Sequence, residues 1–263
     1  MSTPDGTLVA EAAALTPARK RWTLLAVILG SGIVFLDTSV VNLALPRIGE
    51  ELSSDLFGTL EAQSYVANGY FVTLSALLIL GGALSDYFGR RRMFAIGLVG
   101  FAATSLLCGI APTAEFLIAC RILQGAAGAV LVPGSLAIIT ASFQGEEQGR
   151  AFGLWAGAST ATTILGPFVG GLLVNTISWR MAFLINLPFL LIAYLATVGF
   201  VPESRDEQAT GRFDWLGSLV VAVAVAGLAF GTIRGQQLGW CEPMAVVSLA
   251  VGAVAAVAFP VLM

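Results

Sequence analysis

The sequence predicts an all-α integral membrane protein: a six-helix transmembrane bundle followed by two additional transmembrane helices. Three observations carry this reading. Of 263 residues, 57% are hydrophobic and only 11% charged, at a mean hydropathy of +0.88, whereas a soluble domain keeps about 25% charge to cover itself in water. The apolar residues form runs of membrane length, since about 20 residues rising ~1.5 Å each cross ~30 Å of hydrocarbon. The polar turns between these runs carry their Arg and Lys mainly on alternate turns, hence on one side.

By the length rule, spans fall at Trp22–Leu45, Gln63–Leu84, Met93–Ala111, Glu115–Ala141, Arg150–Thr176, Arg180–Val201, Asp214–Ile233 and Pro243–Met263. Residues 1–21 form an N-terminal tail, 22–201 the six-helix bundle, 202–213 a linker and 214–263 the helix pair. Turns among the first six spans are short, so those helices must pack as neighbours. Pro202–Phe213 (PESRDEQATGRF) is the most polar connection and marks the boundary. The last apolar run closes on Phe259–Met263 without a polar flank, which reads as the N-terminal portion of a longer chain.

A cytoplasmic N-terminus places Arg19, Lys20, Arg21, Arg90, Arg91, Arg92, Arg150, Arg205 and Arg212 inside. Only Arg47, Arg180 and Arg234 then lie outside, the positive-inside distribution. Trp22, Trp179, Trp215 and Trp240 fall at span ends, where amphipathic rings favour the membrane interface. The chain is thus expected in the cell membrane, multi-pass, with the lipid bilayer as its surroundings.

Composition also excludes classes. There is no His, hence no imidazole base or His-ligated metal, and no metal-ligand cluster or nucleophile–base pair stands out. An enzyme, a metal site, a bound cofactor and a nucleic-acid partner are not expected. Cys108, Cys120 and Cys241 are odd in number and two lie within apolar runs, so they read as packing residues rather than disulfides.

Four groups of residues stand out against this apolar background. Asp37 lies within the first span, where a carboxylate costs roughly 2.5–3.5 kcal/mol on insertion scales. It should face a cavity or a partner, and it is the candidate to take up and release a proton. In the fourth span Arg121, Gln124, Gly125 and Gly128 recur at i, i+3, i+4 and i+7, on one helical face. Counted from Leu45 and Glu115, Asp37 and Arg121 sit ~12 and ~9 Å from the same membrane face. They are expected to interact across a central cavity, directly or through water, with Asn42 and Gln124 as candidate lining residues.

The third group is the turn Gly82-Ala-Leu-Ser-Asp86-Tyr-Phe-Gly89-Arg90-Arg91-Arg92. Gly89 permits a tight turn, and Asp86 is expected to accept hydrogen bonds from the N-terminus of the following helix, forming a latch. The fourth group is Gly153, Gly157 and Ala161, continued by Gly166, Pro167, Gly170 and Gly171. Small residues four apart favour close helix packing, and Pro167 bends its helix.

Taken in order, these segments resemble the major facilitator superfamily. Gly82–Arg91 is similar to its loop signature G-x-L-x-D-x-x-G-R-R/K. Arg121–Ala129 (RILQGAAGA) resembles the fourth-helix R-x-x-Q-G-x-G motif, in a displaced Gly register. Gly166–Gly171 (GPFVGG) resembles the fifth-helix motif of drug antiporters. Leu36–Pro46 (LDTSVVNLALP) is similar to the first-helix signature of the fourteen-helix drug:proton antiporters, and Trp179-Arg180 with Phe183–Pro188 to their sixth-helix entrance. Tyr87 stands where the loop motif often has Arg, and Met181-Ala182 replace a commoner aromatic–aliphatic pair.

The resemblance implies the N-terminal six-helix bundle of a proton-coupled efflux antiporter for small hydrophobic or drug-like molecules. Two linking helices and a second bundle would follow. It implies Asp37 as the proton-responsive carboxylate, Arg121 as its electrostatic neighbour, and Gly82, Asp86, Gly89, Arg90 and Arg91 as a cytoplasmic latch. Gly157, Gly166, Pro167, Gly170 and Gly171 would shape a bend. Energy would come from the proton gradient without a cofactor, and the partners would be a small-molecule substrate and the C-terminal half of the same transporter. A metabolite transporter of the same superfamily, or a non-transporting sensor or assembly protein, are the alternatives.

Overall fold

The computed structural model describes residues 16–54, 56, 58–206 and 213–262. Residues 1–15 of the expected tail and 207–212 of the expected linker lie outside the described residues. Among the described residues the regular structure is helical throughout: α1 Pro17–Glu51, α2 Thr59–Phe88, α3 Arg90–Gly109, α4 Ala114–Ser142, α5 Gly145–Thr176, α6 Met181–Leu184, α7 Asn186–Phe200, α8 Trp215–Leu238 and α9 Pro243–Leu262. With α6 and α7 taken as one crossing, eight stretches are long and apolar enough to span a membrane. The eight runs of the sequence are all present.

Caps start several of these helices. The Thr16 side chain accepts from Arg19 N at 3.4 Å ahead of Pro17, Thr113 from Phe116 N at 3.3 Å, and Asp214 from Gly217 N at 2.9 Å. Each satisfies a backbone donor the helix leaves open. The end of α1 differs from expectation. Pro46 does not close it, and the helix continues to Glu51. Proline removes one hydrogen bond only, and Ile48, buried to 2% exposure, anchors the extra turn in the core.

The core is built around α1, which packs against α5, α7, α4 and α2. α2 lies along α4, and α3 rests on α4 and α7. Backbone approach explains the α2–α4 contact. A Cβ on Gly81 would sit 2.2 Å from the Ala129 carbonyl oxygen, and one on Gly125 would sit 2.5 Å from that of Tyr70. Ala129 is four residues before Pro133, so its carbonyl is the one that proline leaves without a helical donor. Gly82, expected from the sequence as part of the cytoplasmic latch, has among the described residues only Pro133 Cβ, at 3.6 Å, within 4 Å of such an atom. The tight position is its neighbour Gly81.

A second proline is answered on α5. Pro167 frees the carbonyl of Thr163, and the Ser39 hydroxyl of α1 donates to it at 3.0 Å. Gly166 and Gly170 press on Ser39 and Val40, with a Cβ at Gly166 falling 2.4 Å from Ser39 Cβ, and Gly171 meets Leu43 at an ordinary 3.4 Å. Gly157, expected to shape the same bend, differs: an added Cβ there meets nothing within 4 Å among the described residues. Ser39→Ala should therefore lower the melting temperature of the purified chain, by the equivalent of about 1 kcal/mol for one lost hydrogen bond. Gly157→Ala should leave it unchanged in the same thermal scan.

α8 and α9 form a tight hairpin joined to the bundle through α8 and α2. Gly227, Gly231 and Gly235 recur every four residues, and Cβ atoms at Gly227 and Gly252 would lie 2.7 and 2.6 Å from backbone of the other helix. This small-residue stripe explains the close crossing. On the α2 side, Arg234 hydrogen-bonds Tyr65 and lies 3.6 Å from Glu61, while Gln237 Nε2 donates to Ser64 Oγ at 2.7 Å.

Candidate functional site

At the centre of the bundle an ion pair is sealed from solvent. Asp37 of α1 is 0% exposed and Arg121 of α4 1%. Arg121 Nη1 donates to Asp37 Oδ2 at 2.6 Å and to Gln124 Oε1 at 2.7 Å. Arg121 Nε donates to the Val66 carbonyl at 3.3 Å, and the guanidinium lies 4.0 Å above the Tyr70 ring. Asp37 Oδ1 accepts from Asn186 Nδ2 at 2.8 Å and Gln124 Nε2 at 3.2 Å. Ser105 Oγ accepts from the same two amides, at 2.8 Å from Gln124 and 3.3 Å from Asn186.

Burying two charges costs several kcal/mol per ion after relaxation, and only close pairing with further hydrogen bonds offsets it. The pair meets both conditions. Both Asp37 oxygens are occupied by donors, and Arg121 adds a carbonyl and an aromatic face, a cation–π contact. The similar depth inferred from residue counting is thus a direct contact. It is not made across a cavity, because the flanking side chains close around it. Gln124, expected to line a cavity, is fully buried in the network instead. Asn42 is exposed on α1 and takes no part in it.

Asn186 and Ser105 belong to the site but were not singled out as site residues in the sequence. Pro188 lacks the N–H that would bond the Leu184 carbonyl, and the helix breaks between α6 and α7 at Ile185. Asn186 opens α7 directly after that break, fully buried against Asp37. An amide two residues before a proline inside an apolar run was the available signal.

At the opposite end of α3 from Gly109 lies the turn between α2 and α3. Gly89 has φ +108°, a conformation that favours glycine. The expected role of Asp86 is corrected here. Its Oδ1 accepts from Arg90, at 2.9 Å from Nε and 2.8 Å from Nη2, one turn along the chain, rather than from the helix N-terminus. That N-terminus is served by the segment after α7: Arg91 N donates to Glu203 Oε1 at 3.1 Å and Arg90 N to the Ser204 carbonyl at 2.8 Å. Arg91 Nη2 reaches the Val198 carbonyl at 2.5 Å. The positive φ of Gly89 turns the start of α3 toward this segment, which was too distant in sequence to suggest itself. A Cβ on Gly89 would add a contact of 2.7 Å to Glu203 Oε1. Gly89→Ala should cost about 1–3 kcal/mol of strain, read as a lower melting temperature of the purified chain.

One interfacial tryptophan is also corrected. Trp22, Trp215 and Trp240 are exposed, but Trp179 is 1% exposed. Its Nε1 donates to Glu51 Oε2 at 2.8 Å, and Arg180 lies 4.3 Å over its ring while also pairing with Glu51. The extra turn of α1 supplies that carboxylate.

Such an assembly, an all-helical bundle of membrane-length crossings around a sealed charge pair, defines a polytopic membrane protein. The chain belongs to the major facilitator superfamily, whose family model matches residues 27–263. It is 38% identical to the probable actinorhodin transporter of Streptomyces coelicolor, over 90% of this chain and 40% of that protein. It is 36% identical to the tetracenomycin C resistance and export protein of Streptomyces glaucescens, over 83% of this chain and 40% of that protein. With the methylenomycin A resistance protein of Bacillus subtilis the identity is 35%, over 90% and 50%. The chain therefore spans about half or less of the length of these relatives. Among solved structures it is similar in fold to the peptide transporter POT in complex with sulfate, at TM-score 0.62 and 13% identity over 91% of this chain and 50% of that one. The human organic anion transporter TETRAN gives TM-score 0.60 at 18% identity, over 88% and 60%.

Proposed function

We propose that this chain is the N-terminal portion of a proton-coupled efflux antiporter for small hydrophobic or drug-like molecules, lying in the cell membrane with its N-terminus cytoplasmic. The observation that carries the proposal is the Asp37–Arg121 pair, a titratable carboxylate held at 2.6 Å by a buried cation inside an otherwise apolar bundle. The relatives named for export of, or resistance to, antibiotics support the substrate class.

In this reading the charged pair is the resting state. A proton on Asp37 removes the anion that compensates Arg121 and leaves the guanidinium to the Val66 carbonyl, Gln124 and the Tyr70 ring. Val66 and Tyr70 belong to α2 and Asp37 to α1, so protonation changes which helix holds α4. A cavity of about 340 Å³ at the Glu51 end is lined by Glu51, Gln63 and Val66, and so comes within one residue of Arg121. It marks the end from which water would reach the pair once the seal around it opens. With a second bundle facing this one, alternating exposure of a central site would follow from rocking of the two halves. The proton gradient supplies the energy and no cofactor is needed. The residues 82–92 turn, tied to Glu203 and Ser204, would act as the cytoplasmic latch.

The test is efflux of the fluorescent lipophilic cation ethidium from vesicles carrying the full-length transporter, driven by an imposed pH gradient. Asp37→Asn, the neutral isostere of the protonated carboxyl, should abolish gradient-driven efflux in vesicles matched for the amount of folded transporter. Undiminished efflux by that variant would remove the proposed role.

A further inference from the structure

Asp37 is touched by two amides, and one atom of those amides is left over. Asn186 Oδ1 is buried and has no hydrogen-bond partner among the described residues, while the Nδ2 of the same amide serves both Asp37 Oδ1 and Ser105 Oγ. A buried orphan acceptor beside a titratable carboxylate calls for an explanation.

Charge state supplies one. An ionised carboxylate only accepts hydrogen bonds, so an amide beside it must present its NH2 group. A protonated carboxyl has an O–H to donate and needs an acceptor. Arg121 offers donors only. Gln124 cannot turn to help, because its Oε1 is held by Arg121 Nη1 at 2.7 Å, and rotation would aim N–H at a cation. Asn186 carries no such restraint. Turning its amide end for end brings Oδ1 to Asp37, where it accepts the new O–H, and to Ser105, whose hydroxyl donates instead of accepting. Nδ2 then takes the place without a partner. Each orientation leaves one amide group unpaired, so the turn exchanges the orphan and does not create a second. The proton on Asp37 decides between the two orientations.

We propose that Asn186 is a positioning residue for the proton on Asp37: its side-chain amide donates to the carboxylate when Asp37 is charged and rotates to accept from the carboxyl when Asp37 is protonated. This rests on the reading of Asp37 as the proton carrier. The other titratable or charged groups around the site are Tyr70 from α2, Cys108 from α3, and Cys120 and Arg121 from α4. The Tyr70 hydroxyl is engaged with the Val34 carbonyl at 3.3 Å, and the Cys108 thiol with Gln124 Oε1 at 3.7 Å.

Infrared difference spectroscopy on the purified chain in lipid nanodiscs, stepped from alkaline to acidic pH, tests this. A protonated-carboxyl C=O band should appear in the wild type and be missing in Asp37→Asn. With isotopically labelled asparagine, one side-chain carbonyl of Asn42, Asn68, Asn175 and Asn186 should shift to lower frequency in step with that band, as it gains a donor. This measurement needs no substitution at Asn186. In Asn186→Leu the carboxyl band should persist at higher frequency, having lost its acceptor, and Asn186→Gln should restore part of the shift. An Asp37 band at unchanged frequency in Asn186→Leu, or the absence of any asparagine shift in the wild type, overturns the switch while the proton-carrier reading stands. An acid-induced band that survives Asp37→Asn unchanged, with no other Asp37-dependent band, overturns the proton-carrier reading and the switch with it.

Discussion

Arg121→Ala should be the most damaging single substitution in the bundle. It leaves Asp37 fully buried with two amide donors and no cation, a loss of about 3–5 kcal/mol for breaking a buried pair from one side. The expected result is a sharp fall in folded protein recovered in detergent, seen as loss of the monodisperse peak and of the thermal transition. The double variant Asp37→Asn with Arg121→Gln removes both charges and keeps polar groups of similar shape. It should recover most of the lost stability, because replacing both partners avoids the uncompensated charge. It should not recover gradient-driven efflux. Equal damage from the single and double variants would mean the pair contributes little through its charge.

The second large effect concerns the spacing of α2 and α4. Gly81→Val and Gly125→Val would each drive a side chain into backbone of the opposite helix, at the Ala129 and Tyr70 carbonyls. Backbone cannot move aside as a flexible side-chain tip can, so each should cost at least the ~1–3 kcal/mol typical of overpacking. The functional cost would be larger. α2 supplies Val66 and Tyr70 to Arg121, and separating the helices moves both away from the guanidinium. Gly82→Ala, one residue from Gly81 but with 3.6 Å to its nearest neighbour, should be close to neutral. Parallel melting curves and ethidium efflux for these variants make the comparison; equal effects at Gly81 and Gly82 would contradict the assigned contact.

The contrast between Gly81 and Gly82 also shows where sequence reading reaches its limit. Apolar length located eight crossings, because the bilayer imposes a span on any helix that traverses it. Residue counting along those crossings brought Asp37 and Arg121 to one depth, because helical rise converts position into height. Rotation about each helix axis is not given by length or depth. It decides that Gly81 presses on the α4 backbone while Gly82 makes only ordinary contact with Pro133 of α4, and that an added Cβ at Gly157 meets nothing within 4 Å among the described residues. It also decides that Asn42 points away from the pair while Gln124 joins it. Long-range partners were hidden for the same reason: nothing local connects Glu203 to the start of α3, or Asn186 to Asp37. Trp179 looked interfacial from its place at a span end, yet the unexpected continuation of α1 past Pro46 brings Glu51 to its indole. The Gly227, Gly231 and Gly235 stripe is legible in the sequence, but glycine is common in membrane helices, and the stripe alone does not name the helix it meets.

In the proposed function Asp37, held by Arg121, carries the proton exchanged for substrate. Proton release on substrate addition tests it most directly. Ethidium added to detergent-purified full-length transporter in weakly buffered solution, followed with a pH-sensitive dye, should release protons from the wild type, and Asp37→Asn should release none while still binding ethidium. Undiminished proton release from Asp37→Asn would contradict the account.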